Sequence, residues 1–432
     1  MNTNWTALRN PAFRRLWIAS VVSGTCVAAH DHAATYAMNT LAASPFLISL
    51  ISTVASLPFL LFTLPAGALA DQVNRKKLVC LINLWLAIAA AVLAILGWLQ
   101  LLNSYLILAG VFLLGIGFAF NAPTWTSIVP QVVSDAELPS AATLSGLQFN
   151  ISGIVGPALG GFLVPLIGAH MVFIANAGCF LLVILSVLQW KQPKSASMAR
   201  RENPSRSLST ATRYLRCAPE LQILLVRNFL FALFISAIPA IVPVVGLKEL
   251  HLDSSKLGLL FTSMGGGSVI AALFIVPWLR ARFSPNTITL SANLLVILAY
   301  TLMALIRQTE LFLLVAALAG VGWTLSASEL WIAAQRAMPD WVRGRMNALI
   351  MMVSQGAMVL GGLIWGAAAA ISGPASSLFG AAALFLISSL LSTKLSINFA
   401  RNIRERVANC PSMKVKSPES GTAPLTTGLL VT

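Results

Sequence analysis

Acidic residues are scarce in this chain: only 13 of 432 residues are Asp or Glu, and charged residues of both signs make up 9%. A soluble domain carries roughly 25% charged residues, and no soluble core could absorb a composition that is 57% hydrophobic, so a water-soluble globular protein is excluded. The five cysteines, Cys26, Cys80, Cys179, Cys217 and Cys410, fall singly and without paired spacing, which argues against a disulfide framework or a thiolate metal centre. Histidines number four, and neither His-Glu-x-x-His nor Gly-x-Ser-x-Gly occurs, so a membrane-embedded hydrolase would lack its metal ligands or its nucleophile. With no glycine-rich phosphate loop either, no nucleotide, metal or organic cofactor is implied. No cleavable leader is expected at the N-terminus, because the first apolar run is too long for one.

What the chain does have is a dozen long apolar stretches, each able to cross roughly 30 Å of hydrocarbon at about 20 residues apiece. They are expected near 14–40, 46–69, 78–100, 104–127, 140–166, 170–190, 221–246, 256–279, 287–306, 311–335, 345–371 and 375–395. Of the 28 Lys and Arg residues, 24 fall in every second gap or at the two ends. The alternate gaps hold only Lys248, Lys256 and Arg307, and Arg227 lies inside span seven. The positive-inside bias therefore places both termini in the cytoplasm, and the expected location is a bacterial cytoplasmic (inner) membrane. The net charge of +15 does not imply a nucleic-acid partner, since the bases flank spans where they meet anionic lipid headgroups.

The longest polar stretch between spans, from Lys191 to about Glu220, carries Pro193, Pro204, several serines and seven bases, and reads as a cytoplasmic linker. It divides the chain into an N-terminal six-helix half (1–190), a basic linker (191–220), a C-terminal six-helix half (221–397) and a tail without apolar period (398–432), read as disordered. A shift of roughly 205 to 212 residues lays one half on the other. Val129-Pro130-Gln131-Val132-Val133 falls on Met338-Pro339-Asp340-Trp341-Val342, Gln148 near Gln355, and the Gly156-Pro157…Gly160-Gly161 run near Gly361-Gly362…Gly366. Parallel six-span repeats belong to alternating-access carriers, whose site lies at the midplane between the halves.

Three motifs sharpen this. The gap between spans two and three reads Gly67-Ala68-Leu69-Ala70-Asp71-Gln72-Val73-Asn74-Arg75-Lys76-Lys77. A Gly at a helix end permits close approach, an Asp can cap a helix, and bases anchor the next span at the headgroups. In order, Gly67, Asp71, Arg75 and Lys76 resemble the signature loop of the major facilitator superfamily. Gln72 and Asn74 replace its usual base and glycine, with Asn the best substitute where φ must be positive. In that family the loop latches the cytoplasmic side, so the resemblance implies a gating role for Asp71. The corresponding segment of the second half, Pro277-Trp278-Leu279-Arg280-Ala281-Arg282, has bases but no Asp, so the latch is expected to be one-sided.

In span five, Gly156, Pro157, Gly160 and Gly161 permit a tight, kinked crossing. The Gly-Pro-x-x-Gly-Gly core resembles the superfamily's antiporter motif, with Ser152 where that motif has a glycine, and implies export. The longest resemblance combines Arg9-Asn10-Pro11-Ala12-Phe13-Arg14-Arg15-Leu16-Trp17, the stretch from Ala334 to Arg345, and Leu360-Gly361-Gly362-Leu363-Ile364-Trp365-Gly366. Together these are similar to the enterobactin-exporter-like branch, the transmembrane secretion effectors, up to about residue 395. It implies that Asp340, Arg343 and Arg345 form a second gating loop; the competing reading is that they anchor two helix ends.

Ionisable residues inside spans each cost on the order of 2.5 to 3.5 kcal/mol unless they face a cavity or a partner. Asp31 lies mid-span between His30 and His32; consecutive helical residues point about 100° apart, so the three cannot share one cavity, and Asp31 with one histidine is expected to face it. A carboxyl in a cavity that alternates between wet and closed states is suited to load and release a proton. Spans one, four, seven and ten line the cavity of the superfamily fold, which would bring Arg227 and Glu329 there too. Arg227 could instead snorkel to the interface, and Glu329 could pair with Arg336. Asn121, Trp125, Phe231, Phe234 and Trp323 lie on the same four spans, as wall or as packing.

The expectation is an all-α, twelve-span major facilitator protein that exports a small organic molecule, siderophore-like or drug-like, by proton-coupled alternating access, drawing on an ion gradient and no cofactor. Its partners would be that substrate and membrane lipid, with a monomer sufficient. A lysophospholipid flippase on the same fold is the alternative transport reading, and a non-transporting sensor the alternative of another class.

Overall fold

The computed structural model describes residues 3–41, 43–134, 136–190, 215–216, 218–338 and 340–393. Most of the linker, the whole 398–432 tail, Cys217, Cys410 and Pro339 lie outside the described residues, as do the side chains of Asp71 and Asp340. Among the described residues there is no strand. Twelve helices cross the expected positions. The first half consists of α1 (Pro11–Thr40), α2 (Pro45–Gln72), α3 (Arg75–Trp98), α4 (Ser104–Val132), α5 (Leu138–Ile167) and α6 (Ala169–Gln189). The second consists of α7 (Pro219–Glu249), α8 (Ser254–Arg280), α9 (Pro285–Leu305), α10 (Thr309–Ala337), α11 (Asp340–Ser372) and α12 (Pro374–Ser392). α7 and α8 each include a π-helical turn, at Val245–Glu249 and Ala271–Ile275.

The helix starts follow from side-chain caps. Asn10, Ser44, Asn74, Asn103, Asp253 and Ser284 each accept a backbone N–H of the first turn, satisfying donors that a helix start leaves orphaned. Several starts add a proline in that turn, where its missing N–H costs nothing. Asn74 has φ −59°, so the expected left-handed turn does not form there; Asn serves instead as the N-cap of α3, accepting Lys77 N at 3.2 Å. Eleven of the helices are apolar and long enough to span a membrane by composition alone. The twelfth, α1, is 30 residues long and is set apart from them by its polar content, which includes Arg14, Arg15, His30, Asp31 and His32.

The repeat read from the sequence is a repeat of structure. Single glycines, Gly168 at φ +80° and Gly373 at φ +89°, turn α5 into α6 and α11 into α12 at equivalent places, in a backbone region that side chains disfavour. A methyl at Gly156 would lie 2.7 Å from the Thr25 carbonyl of α1, and at Gly161 2.8 Å from the Ser254 carbonyl of α8. Their counterparts repeat the arrangement, with Gly361 against Leu233 and Ser236 of α7 and Gly366 against Ser49 of α2. So α5 and α11 each press one face on their own half and the other on the opposite half.

Candidate functional site

The site is built on α1. Helical geometry sets Asp31 about 180° from Val22 and about 140° from Ile18, both exposed on the outer, lipid side. Asp31 therefore points into the bundle, yet it is itself exposed, which means that it faces an internal space. Its carboxylate has no hydrogen-bond or ion-pair partner among the described residues; only its carbonyl is used, accepting Thr35 Oγ1 at 2.8 Å.

Along the same stripe Ser20, Gly24 and Val27 are half-buried, Asp31 is exposed, and Ala34, Thr35 and Met38 are fully or nearly fully buried. The space therefore ends just beyond Asp31, on the side where bases are few, and runs toward the base-rich face. The closure is a seam between the halves. His32 Nε2 meets Ser254 Oγ of α8 at 3.1 Å, and Ser255 Oγ and Thr262 Oγ1 donate to the carbonyls of Gly161 and Ile154 on α5, at 3.2 and 3.0 Å. A methyl at Gly258 would lie 2.6 Å from the Pro157 carbonyl, so α5 and α8 are in near backbone contact. On the other side of the bundle Gly362 abuts Thr53 and Gly366 abuts Ser49, closing α11 on α2.

The two histidines turn away from this space. His30 is buried against Phe173 of α6, with ring centroids 4.4 Å apart and neither ring nitrogen partnered. His32 sits in the α5–α8 seam, edge-on to Phe261 at 6.3 Å. The expectation of one histidine beside Asp31 is corrected by this geometry: the 100° helical step that turns Asp31 inward turns each neighbour into a helix contact.

The charges of the second half are also placed differently from the expectation. Glu329 is 4% exposed and ion-paired at 2.5 Å with Nε of Arg280, at the end of α8, rather than with Arg336. Arg227 is 8% exposed and donates to Asn286 Oδ1 of α9 at 2.5 Å, so it does not snorkel. Both are committed within the C-terminal half, away from Asp31. The aromatics there are packing: Phe234 stacks on Phe385 at 5.1 Å and abuts Trp365, and Phe231 is buried. Trp125 joins the base-rich core of the first half, Trp323 packs on the core of the second, and Asn121 has a buried Oδ1 without a partner.

At the signature loop, Gly67 has open space around it and Arg75 is the first residue of α3. Lys76 donates to the carbonyls of Leu188 and Trp190 at 2.8 and 2.6 Å, fastening the end of α6, where the helix dipole favours a cation. Among the antiporter-like residues, Gly156 and Gly160 face α1, Gly161 faces α8, and Pro157 lends its carbonyl to the close crossing with Gly258. In the second-half loop Asp340 opens α11, Arg343 Nη2 reaches the Met338 carbonyl at 3.5 Å, and Arg345 is half-buried. Arg280 and Ser254 are the partners that the sequence did not single out; no local signal joins Arg280 to a carboxylate 49 positions away on another helix.

The model of the transmembrane secretion effector family matches residues 2–421. Macrolide efflux protein A of Streptococcus pyogenes is 22% identical over 355 residues, 81% of this chain and 87% of its own. Enterobactin exporter EntS of Salmonella choleraesuis is 26% identical over 371 residues, 82% of this chain and 86% of its own. Among solved structures, a POT family transporter in complex with 5-aminolevulinic acid superposes with a TM-score of 0.75 at 12% identity, over 91% of this chain and 97% of that one. A bacterial homologue of the human lysosomal transporter Spinster, inward-facing and occupied, gives 0.73 at 14% identity, over 92% and 99%. These structures share the fold.

Proposed function

The chain belongs to the transmembrane secretion effector family, and from that premise we propose that it is a proton-coupled exporter of small organic molecules working by alternating access in a bacterial inner membrane, both termini cytoplasmic. Efflux of this facilitator type is the common activity of its named relatives. The observation that carries the finer reading is Asp31, an unpartnered carboxylate at the closed end of an internal space, next in sequence to His32, which joins the seam that must open for the other side to gain access. A carboxylate so placed binds a proton from one side, loses its charge, and lets the halves rock without dragging a bare charge through a closed seam. Orientation follows from the positive-inside bias, which makes the base-rich mouth cytoplasmic. Energy then comes from the H⁺ gradient and the protein acts as a monomeric carrier rather than an enzyme.

The test is efflux of a panel of fluorescent dyes and catechol-type chelators from cells with and without the protein, each with and without a protonophore. Protein-dependent efflux abolished by the protonophore is expected, as is its loss in Asp31→Asn at equal membrane abundance. Undiminished proton-driven efflux in that variant would remove Asp31 from the coupling.

A further inference from the structure

The distribution of charge at membrane depth is unequal in a way that selects among substrates. The helices packed on α1 bring almost no ionisable group near Asp31: α5 has none, α4 has only Tyr105 near its start, and α6 has His170 and Cys179. His170 is engaged edge-on with Trp98, and Cys179 lies against Cys26 on the far side of α1. α2 contributes only Asp71 in its last turn, and α8 only Lys256 in its first turn and Arg280 at its end. In the opposite half Arg227 is buried on Asn286, and Glu329 is cancelled by Arg280. Arg227 keeps its positive charge on a neutral amide, but it stands about two turns from the base-rich end of α7, whereas Asp31 lies far deeper along α1. Among the described residues Asp31 is thus the one charge without a partner at its own depth, and it is negative.

An unpaired carboxylate in a low-dielectric space is relieved by a proton or by a cation. A neutral guest leaves the deficit as it was, and an anion adds like-charge repulsion. The geometry points to the Asp31 carboxylate as the recognition group for a lipophilic monovalent cation, a protonated amine or an onium centre on a bulky apolar body, with polyanionic chelators excluded. The inference rests on the exporter reading and narrows it. One cation then displaces one proton from the same pair of oxygens, so the exchange is electrically balanced. The bases at the mouth do not reverse the preference. They stand in water, where charges are screened beyond about 8 Å at physiological ionic strength, whereas Asp31 lies inside.

The test compares tetraphenylphosphonium with tetraphenylborate, which share four phenyl groups and differ in the sign of their charge. Binding of each to the purified full-length protein is measured by equilibrium dialysis, for the natural chain, Asp31→Asn and Asp31→Glu. The natural chain should bind the phosphonium at least tenfold more tightly than the borate, Asp31→Asn should lose at least tenfold of the phosphonium affinity, and Asp31→Glu should regain most of it. Borate affinity within threefold of phosphonium, or phosphonium affinity in Asp31→Asn within threefold of the natural chain, would overturn the inference. The phosphonium–borate comparison needs no variant, so it decides the matter even where Asp31→Asn fails to fold. Dye efflux with and without protonophore, run in parallel, separates the two readings. Proton-driven efflux of neutral dyes with no phosphonium binding sinks the cation inference and leaves the exporter; no proton-driven efflux of any dye sinks the exporter, whatever the dialysis gives.

Discussion

Arg280 and Glu329 meet at 2.5 Å, with the carboxylate 4% exposed and the guanidinium 35% exposed, and that difference in exposure predicts an unequal response to mutation. At this separation and an effective dielectric of 20 the gross attraction is about 6 to 7 kcal/mol, an upper bound from which the cost of desolvating both groups must be taken. Arg280→Ala strands a buried carboxylate between α8 and α10. Stranding a buried charge costs about 3 to 5 kcal/mol, and the lower end applies here because water already reaches the guanidinium side. Glu329→Gln strands only Arg280, which is a third exposed and can carry its charge to the headgroups along its flexible stem, for a cost of about 1 kcal/mol. Replacing both by leucine removes the charges and their desolvation together and should return to within about 1 kcal/mol of the natural chain.

The assay is equilibrium unfolding in mixed micelles, titrated with a denaturing detergent, on the natural chain, the two single variants, the Arg280→Ala/Glu329→Gln double that completes their cycle, and the double leucine variant. Equal costs for the two single substitutions, or a double substitution that simply adds them, would refute the reasoning: the first would mean the carboxylate is not the confined partner, the second that the pair does not interact.

Other expectations follow from neighbouring geometry. Gly161→Leu places a side chain where even a methyl would sit 2.8 Å from the Ser254 carbonyl, so it should wedge α5 from α8. Labelling of a cysteine introduced at Ser255 by a membrane-impermeant maleimide, applied from the base-poor side, should rise about tenfold, as overpacking worth 1 to 3 kcal/mol would require. Lys76→Ala frees the Leu188 and Trp190 carbonyls and should lower stability in the unfolding assay by about 1 kcal/mol, with Lys76→Arg close to neutral. At the start of α5, Ser134 donates its N–H and its hydroxyl to Glu137 at 3.0 and 2.9 Å, and these bonds hold the carboxyl below its ordinary range. A lowered carboxylate contributes stability above its unfolded pKa and loses it as pH falls through the folded one. Ser134→Ala removes the hydroxyl bond and keeps the N–H, so its difference from the natural chain should be present at neutral pH and shrink as the pH falls through the carboxyl range.

Helix number and ends are legible in the sequence because the signals are local and additive: span length, a polar cap such as Asn10 or Ser284, and bases in alternate gaps. The repeat is legible for the same reason, since Gly156 and Gly361 stand in a similar place in each half and meet the same kind of backbone. Side-chain direction is less so. The 100° step shows that His30, Asp31 and His32 diverge, but which of them faces inward depends on where α5, α6 and α8 stand, and α8 enters 222 positions later, through Ser254. Asn74 misleads because Asn suits both a left-handed turn and an N-cap, and only the backbone distinguishes them. Glu329 misleads because Arg336 is near in sequence, while Arg280 is near in space.

The two halves share a frame and differ in what they do with charge. The repeat shift of roughly 205 to 212 residues sets Glu329 opposite Asn121 and the Arg280 segment opposite the signature loop. The second half thus holds a closed ion pair where the first has an amide. A neutralised pair fastens α8 to α10 as a body that can move without exposing charge. The first half keeps its only mid-depth charge, Asp31, unpartnered. Symmetric helices close the base-poor end with two seams, α5 on α8 and α11 on α2, built on glycines at equivalent places, and the two must part together for that end to open. Direction and stoichiometry need an element that is not duplicated, because two equivalent loading groups would let the halves titrate independently and slip. On the proposed proton-coupled reading a single free carboxylate supplies that asymmetry, and a second carboxylate introduced at Asn121 would test the proposal: it should bind its own proton and raise the number of protons moved per substrate without altering the fold.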